Sequence, residues 1–235
     1  MALMTNLDGA VVLVTGANGG LGIEFVQQAL DRGASKVYAT ARTPKAWDDA
    51  RVIPLALDVT DAASIAAAAA AASDTSILIN NAGVGGGGRI SGDLEPIRAI
   101  FETNFFGAIA VAAAFAPVLA ANGGGALVNV HSLLSWNGVA GAYSATKAAF
   151  WSATNSLRLE LAPAGTQVVG LHLGYTDTPM TTGVTAPMND PADVVRDAYD
   201  GLEAGEYEVL ADAGSVETKR LLAEPVAAMY PQLSK

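Results

Sequence analysis

The chain has no cysteine and only two histidines in 235 residues. Disulfide staples, thiolate nucleophiles and cysteine-ligated metals are therefore excluded. His131 and His172 stand apart, without acidic or thiol neighbours at ligand spacing, so structural roles are expected and no metal site is. Charge is also scarce, at 15% of residues, and its balance is acidic: 13 Lys and Arg against 23 Asp and Glu, a net charge of −10. No basic block occurs, so neither nucleic acid nor an anionic membrane surface is an expected partner. The opening stretch MALMTNLDGAVVLVTG has no basic region ahead of its apolar part and does not read as a signal peptide, which points to a cytoplasmic protein. One long run lacks charge, FFGAIAVAAAFAPVLAA at 105–121. It is alanine-rich, shorter than the ~20 apolar residues of a membrane span, and holds Gly107 and Pro117, so a helix buried in a core or subunit contact is expected.

What the chain has in quantity is apolar residues, 51%, enough for a large core. Short β-rich runs alternate with longer helical ones. Strands are expected at 10–16, 35–41, 51–59, 76–80, 125–132, 166–174 and 206–212. Helices are expected at 20–32, 61–74 with Asp61 as N-cap, between the fourth and fifth strands, at 143–162 and at 191–204. Trp136, Phe150 and Trp151 read as core, pocket wall or subunit contact. No repeat or linker breaks the pattern. The expectation is one α/β domain over 1–235: a Rossmann fold, a doubly wound parallel sheet of about seven strands with helices on both faces.

After the first strand comes TGANGGLG, residues 15–22, leading straight into a helix. Glycines here permit φ > 0, let the main chain approach a pyrophosphate and let the helix pack closely on the sheet. The helix N-terminus then offers its free N–H groups to phosphate charge. A plain glycine-rich turn is the competing reading, and the strand–turn–helix setting favours the dinucleotide. The spacing is T-G-x-x-x-G-x-G, carried by Thr15, Gly16, Gly20 and Gly22. LDVT (57–60), NNAG (80–83) and YSATK (143–147) follow in order. In these motifs the sequence resembles the short-chain dehydrogenase/reductase family, from about residue 8 to about residue 180.

The resemblance implies a nicotinamide dinucleotide held by Gly16, Asn18, Gly19, Gly20, Leu21 and Gly22. It places Asp58 and Val59 at the adenine, and Asn81, Ala82 and Gly83 beside the cofactor at a strand end. Beyond the sixth strand, Gly174, Thr176 and Thr178 align with cofactor contacts, although Leu173 stands where the family commonly has proline. The second strand closes YATART without an acidic residue, and Arg42 follows. An acid there would accept from a ribose 2′-OH, whereas an arginine suits a 2′-phosphate. NADP(H) is therefore preferred, with NAD(H) possible.

Tyr143 and Lys147 lie one helical turn apart and so share a face. By resemblance Tyr143 is the general acid/base of carbonyl–alcohol interconversion. Lys147 is the cation that lowers the phenol's pKa from near 10 and also hydrogen-bonds the nicotinamide ribose. In NVHSLLSW, Ser132 takes the place of the catalytic serine, with Ser135 a rival three residues on. Asn104 matches the helix asparagine that holds a water in the proton relay.

Two alternatives stay open. A halohydrin dehalogenase-like enzyme would carry Arg in place of Lys147 and bulkier residues in the phosphate loop. A non-catalytic dinucleotide-binding regulatory protein would have lost Tyr143 or Lys147. The lid expected at about 179–190, PMTTGVTAPMND, is uncharged until its end and points to a small neutral carbonyl or alcohol. Resemblance further implies a homodimer or homotetramer through helices near 100–121 and 147–162, which a monomer in light scattering would overturn.

Overall fold

The computed structural model describes residues 5–233. Seven strands form one parallel sheet in the order β3-β2-β1-β4-β5-β6-β7. They are β1 (Val11–Thr15), β2 (Lys36–Ala41), β3 (Val52–Ala56), β4 (Ile77–Asn80), β5 (Ala126–Val130), β6 (Gln167–His172) and β7 (Glu208–Leu210). The helices are α1 (Leu21–Asp31), α2 (Ala62–Ala71), α3 (Leu94–Phe101), α4 (Ala108–Ala121), α5 (Ala142–Leu161), α6 (Pro191–Glu203), α7 (Ala213–Leu221) and α8 (Val226–Met229).

Strand alternation divides the core in two. Along β1, Val12 and Val14 turn to one face and Leu13 to the other. Both faces are covered, which is why such a strand reads as an unbroken apolar run. On the first face Phe25 and Val26 of α1 meet Val194, Tyr199 and Leu202 of α6 over the sheet. The Tyr199 hydroxyl donates to the Phe25 carbonyl at 2.8 Å, and the two rings meet edge to face at 5.5 Å. On the second face Ile65 of α2 and Val111, Phe115 and Leu119 of α4 cover Leu13, Leu78 and Leu127.

The uncharged run joins a longer helical stretch. Leu94–Ala121 is 28 residues, long and apolar enough by length and composition to cross a membrane. In this fold its Val111, Ala112, Phe115 and Leu119 are buried in the second core, as a core helix requires. A π-helical turn, Glu102–Gly107, separates α3 from α4 and lets Gly107 lie against the Val59 carbonyl, 2.7 Å from where a Cβ would stand. Asp61 caps α2, its carboxylate accepting from the Ala63 N–H.

The order of the strands reverses direction between β1 and β4. In open parallel sheets the crevice at that point, outside the carboxyl ends of the strands, is where ligands bind.

Candidate active site

At the head of β1 the main chain is held in a shape that only glycines allow. Gly16 has φ 69° and Gly20 φ 52°, both in the left-handed region. A Cβ on Gly22 would stand 2.2 Å from the Gly16 carbonyl oxygen and 2.8 Å from the Ala17 Cα, so α1 packs there without any side chain between. The Thr15 hydroxyl accepts from the N–H groups of Asn81 and Ala82, both at 2.9 Å. The Asn81 amide returns a bond to the Thr15 carbonyl at 2.8 Å. These contacts stitch the end of β1 to the end of β4 and leave Gly16, Gly19, Gly20 and Leu21 lining a cavity. That cradle fits the pyrophosphate of a dinucleotide, because a Cβ at Gly22 would force the loop apart.

The cavity has a volume of about 1210 Å³. Of the residues singled out in the sequence, Gly16, Gly19, Gly20, Leu21, Asn81, Ala82, Gly83, Ser132, Tyr143, Lys147, Gly174, Thr176 and Thr178 line it. Asn18, Gly22, Arg42, Asp58, Val59 and Asn104 do not. Asn18 instead ties two loops together: its amide donates to the Thr43 carbonyl at 2.7 Å and accepts from the Lys45 N–H at 3.2 Å. Arg42 is exposed, close enough to Asp58 for its charge to help hold that carboxyl low. The larger cause is local, since Asp58 accepts from the Thr60 N–H at 2.9 Å and hydroxyl at 2.7 Å.

The two serines separate cleanly. Ser132 lies just past β5 on the cavity wall, its hydroxyl accepting from the Leu134 N–H at 3.1 Å and donating to the Leu173 carbonyl at 3.3 Å. The short helical turn Leu133–Ser135 that it caps carries Ser135 away into the interior, where its hydroxyl has no partner.

Tyr143 and Lys147 share the cavity-facing side of α5, with the lysine nitrogen 5.8 Å from the phenol ring centre. The ammonium donates to the Val130 carbonyl at 2.8 Å. Here the structure departs from the expected lowering of the phenol. Burial pushes Tyr143 up to about 12 and Lys147 down to about 8. Desolvation favours both neutral forms and outweighs a lysine that is itself buried and turned toward a carbonyl.

Asn104 sits in the π-helical turn rather than in a regular α-helix. Its amide donates to the Val84 carbonyl at 2.8 Å, accepts from the Val84 N–H at 2.8 Å, and reaches the Thr146 hydroxyl at 3.3 Å. The side chain therefore anchors the 83–88 loop to α5. Thr146, which completes this clamp, carried no signal in the sequence. His131 and His172 pack ring to ring at 4.9 Å, and Trp136 stacks on His172 at 4.0 Å. Burial holds both imidazoles low, His172 at about 3.

The segment expected as a lid begins with a single helical turn, Pro179–Thr181, and closes at its base through a bridge between Thr176 and Asn189. Met180 and Val184 turn into the cavity. Other wall residues come from loops without a recognisable motif: Val84, Arg89 and Ile90 after β4, Val139 before α5, and Tyr175 after β6.

A profile of the short chain dehydrogenase family matches residues 10–189. An NADPH-dependent 1-acyldihydroxyacetone phosphate reductase of Schizosaccharomyces pombe is 32% identical, over 94% of this chain and 77% of its own. A ketoacyl reductase, HetN, of a Nostoc species is 30% identical, over 94% and 85%. Among solved structures, a short chain dehydrogenase from Burkholderia cenocepacia in complex with NADP superposes with a TM-score of 0.91 at 36% identity, covering 98% of this chain and 100% of that one.

Proposed function

Because the chain belongs to the short-chain dehydrogenase family, we propose that it is an NADP(H)-dependent oxidoreductase interconverting a carbonyl compound and its alcohol. The observation that carries this reading is the convergence of Ser132, Tyr143 and Lys147 on the cavity that Gly16, Gly19, Gly20 and Leu21 also line. The likeness to a protein that binds NADP and to a reductase that uses NADPH supports the choice of dinucleotide, as does Arg42 without an acid at the end of β2.

When bound, the reduced nicotinamide supplies the hydride that the carbonyl carbon receives. The chain's own groups manage the oxygen and the proton. The Ser132 hydroxyl gives up its long bond to the Leu173 carbonyl and donates to the substrate oxygen, polarising it. Tyr143, neutral because burial raises its pKa, donates the proton that turns the developing alkoxide into an alcohol. Lys147 stabilises the phenolate left behind. The halohydrin dehalogenase alternative gains no support, since the glycine cradle is open and Lys147 is in place.

The test is NADPH consumption against a broad panel of ketones and aldehydes, with Tyr143→Phe as the control. The variant should bind NADPH within about threefold of the parent while kcat falls by roughly 10³, within the range for loss of a general acid. A Tyr143→Phe protein that turns over like its parent overturns the mechanism.

A further inference from the structure

The charge lining the cavity is one-sided. In a chain with ten more acids than bases, no Asp or Glu lines it among the described residues. Two cations do, Lys147 and Arg89. Lys147 is buried and bonded to the Val130 carbonyl. Arg89 is exposed and meets no carboxylate among the described residues, whereas the nearby Arg98 pairs with Glu95 at 3.8 Å. Its backbone is held at the reacting centre: a Cβ on Gly141, two residues before Tyr143, would lie 3.4 Å from the Arg89 Cα.

Around this cation the wall is apolar and uncovered. Val84, Ile90, Val139, Tyr175 and Met180 line the cavity and are 41% to 65% exposed. Exposed apolar side chains scattered singly need no explanation, but five on the rim of one cleft mark a binding surface. These side chains line the same cavity as Ser132, Tyr143 and Lys147, so on the carbonyl-reduction reading the rim faces the substrate.

We infer that the substrate is an amphipathic anion: a carbonyl with a hydrocarbon arm against Ile90, Val139 and Met180 and a carboxylate or phosphate within reach of Arg89. This rests on the carbonyl-reduction reading above and sharpens its substrate class. It also replaces the neutral compound suggested by residues 179–190 alone, because the deciding charge lies outside that segment. Arg89 acts on specificity and takes no part in the proton transfer.

The test uses three matched ketone series with arms of four to twelve carbons: neutral ketones, keto carboxylates and ketone phosphate monoesters. For the wild-type protein with NADPH, kcat/KM should rise about threefold per added methylene until the arm outruns the rim, near the value for burying one methylene. One or both anionic series should exceed the neutral one by roughly fivefold, the size of one exposed charge pair, and the faster series identifies the acid. Arg89→Glu should reverse that anionic-to-neutral ratio. Values independent of arm length and charge overturn the inference and leave carbonyl reduction standing.

If no ketone is reduced, the carbonyl reading fails and binding decides the inference. Alkyl phosphates and alkyl carboxylates are then titrated into the protein with NADP⁺, following Trp fluorescence. Binding that strengthens with arm length and weakens in Arg89→Glu keeps the inference; no binding overturns it.

Discussion

The two halves of the cleft are made of different material. On the cofactor side the working surface is main chain: Gly16 and Gly20 at positive φ, Gly22 pressed on the Gly16 carbonyl, and Thr15 and Asn81 bonded to backbone groups. On the proposed substrate side the surface is side chain, Val84, Arg89, Ile90, Val139 and Met180 projecting from loops and single helical turns. Backbone geometry tolerates few residue types, so it leaves a short, ordered motif in the sequence. A loop that presents side chains tolerates many and leaves none. The halves meet at Ser132, Tyr143 and Lys147, on the rigid end of β5 and on α5.

The largest effect on cofactor binding should come from a single methyl group on the main-chain side. In Gly22→Ala the Cβ overlaps backbone atoms that cannot rotate away. NADPH binding, read by fluorescence titration, should weaken about 100-fold, close to 3 kcal/mol and the upper end for overpacking. Ile90→Val, an equally small change on the exposed rim, should alter substrate kcat/KM by less than about threefold. Equal sensitivity of the two sites would abolish the distinction between the halves.

The same distinction explains what could be read in advance. The glycine loop, the alternation of strands and helices and the Tyr143–Lys147 pair were legible because each rests on a local rule of backbone or helix spacing. The edge strands were less so. β3 was expected over 51–59 and β7 over 206–212, yet the strands span only Val52–Ala56 and Glu208–Leu210, each at a sheet edge with a single neighbour. That Ser132 faces the cavity and Ser135 the interior depends on a short helical turn that position in the sequence does not reveal. The π-helical turn at Asn104 has no spacing signature, so neither its bond to Val84 nor the clamp through Thr146 was visible.

At the junction the electrostatics can be measured without substrate. Lys147 has a folded pKa of about 8 against an ordinary 10.5, so between these values the unfolded chain holds more protons than the folded one. Stability of the cofactor-free protein should therefore rise with pH over that window. The gain traceable to Lys147 is about 2 kcal/mol between pH 8 and pH 10, read as the difference from Lys147→Met in urea titrations. Above pH 10 the sign reverses. Tyr143, raised to about 12, stays protonated in the fold after the unfolded chain has lost its proton, so stability then falls. Identical pH profiles for the two proteins would mean that the buried ammonium is solvated in a way the Val130 bond does not account for.

The smallest effect concerns an exposed side chain on the cofactor side. Arg42 is exposed beside Asp58, and its guanidinium can grip a 2′-phosphate with two parallel bonds that a 2′-OH cannot accept in the same way. Arg42→Ala should raise the KM for NADPH roughly tenfold, about 1.4 kcal/mol, and that for NADH less than twofold. Added salt should shrink the wild-type preference, because the contact is open to solvent. If both cofactors lose equally, Arg42 serves the adenosine generally and the discriminating charge lies elsewhere. Lys45 is then the next group to change, since its N–H is tied to Asn18 of the glycine loop and its ammonium lies 4.3 Å from the Trp47 ring centre.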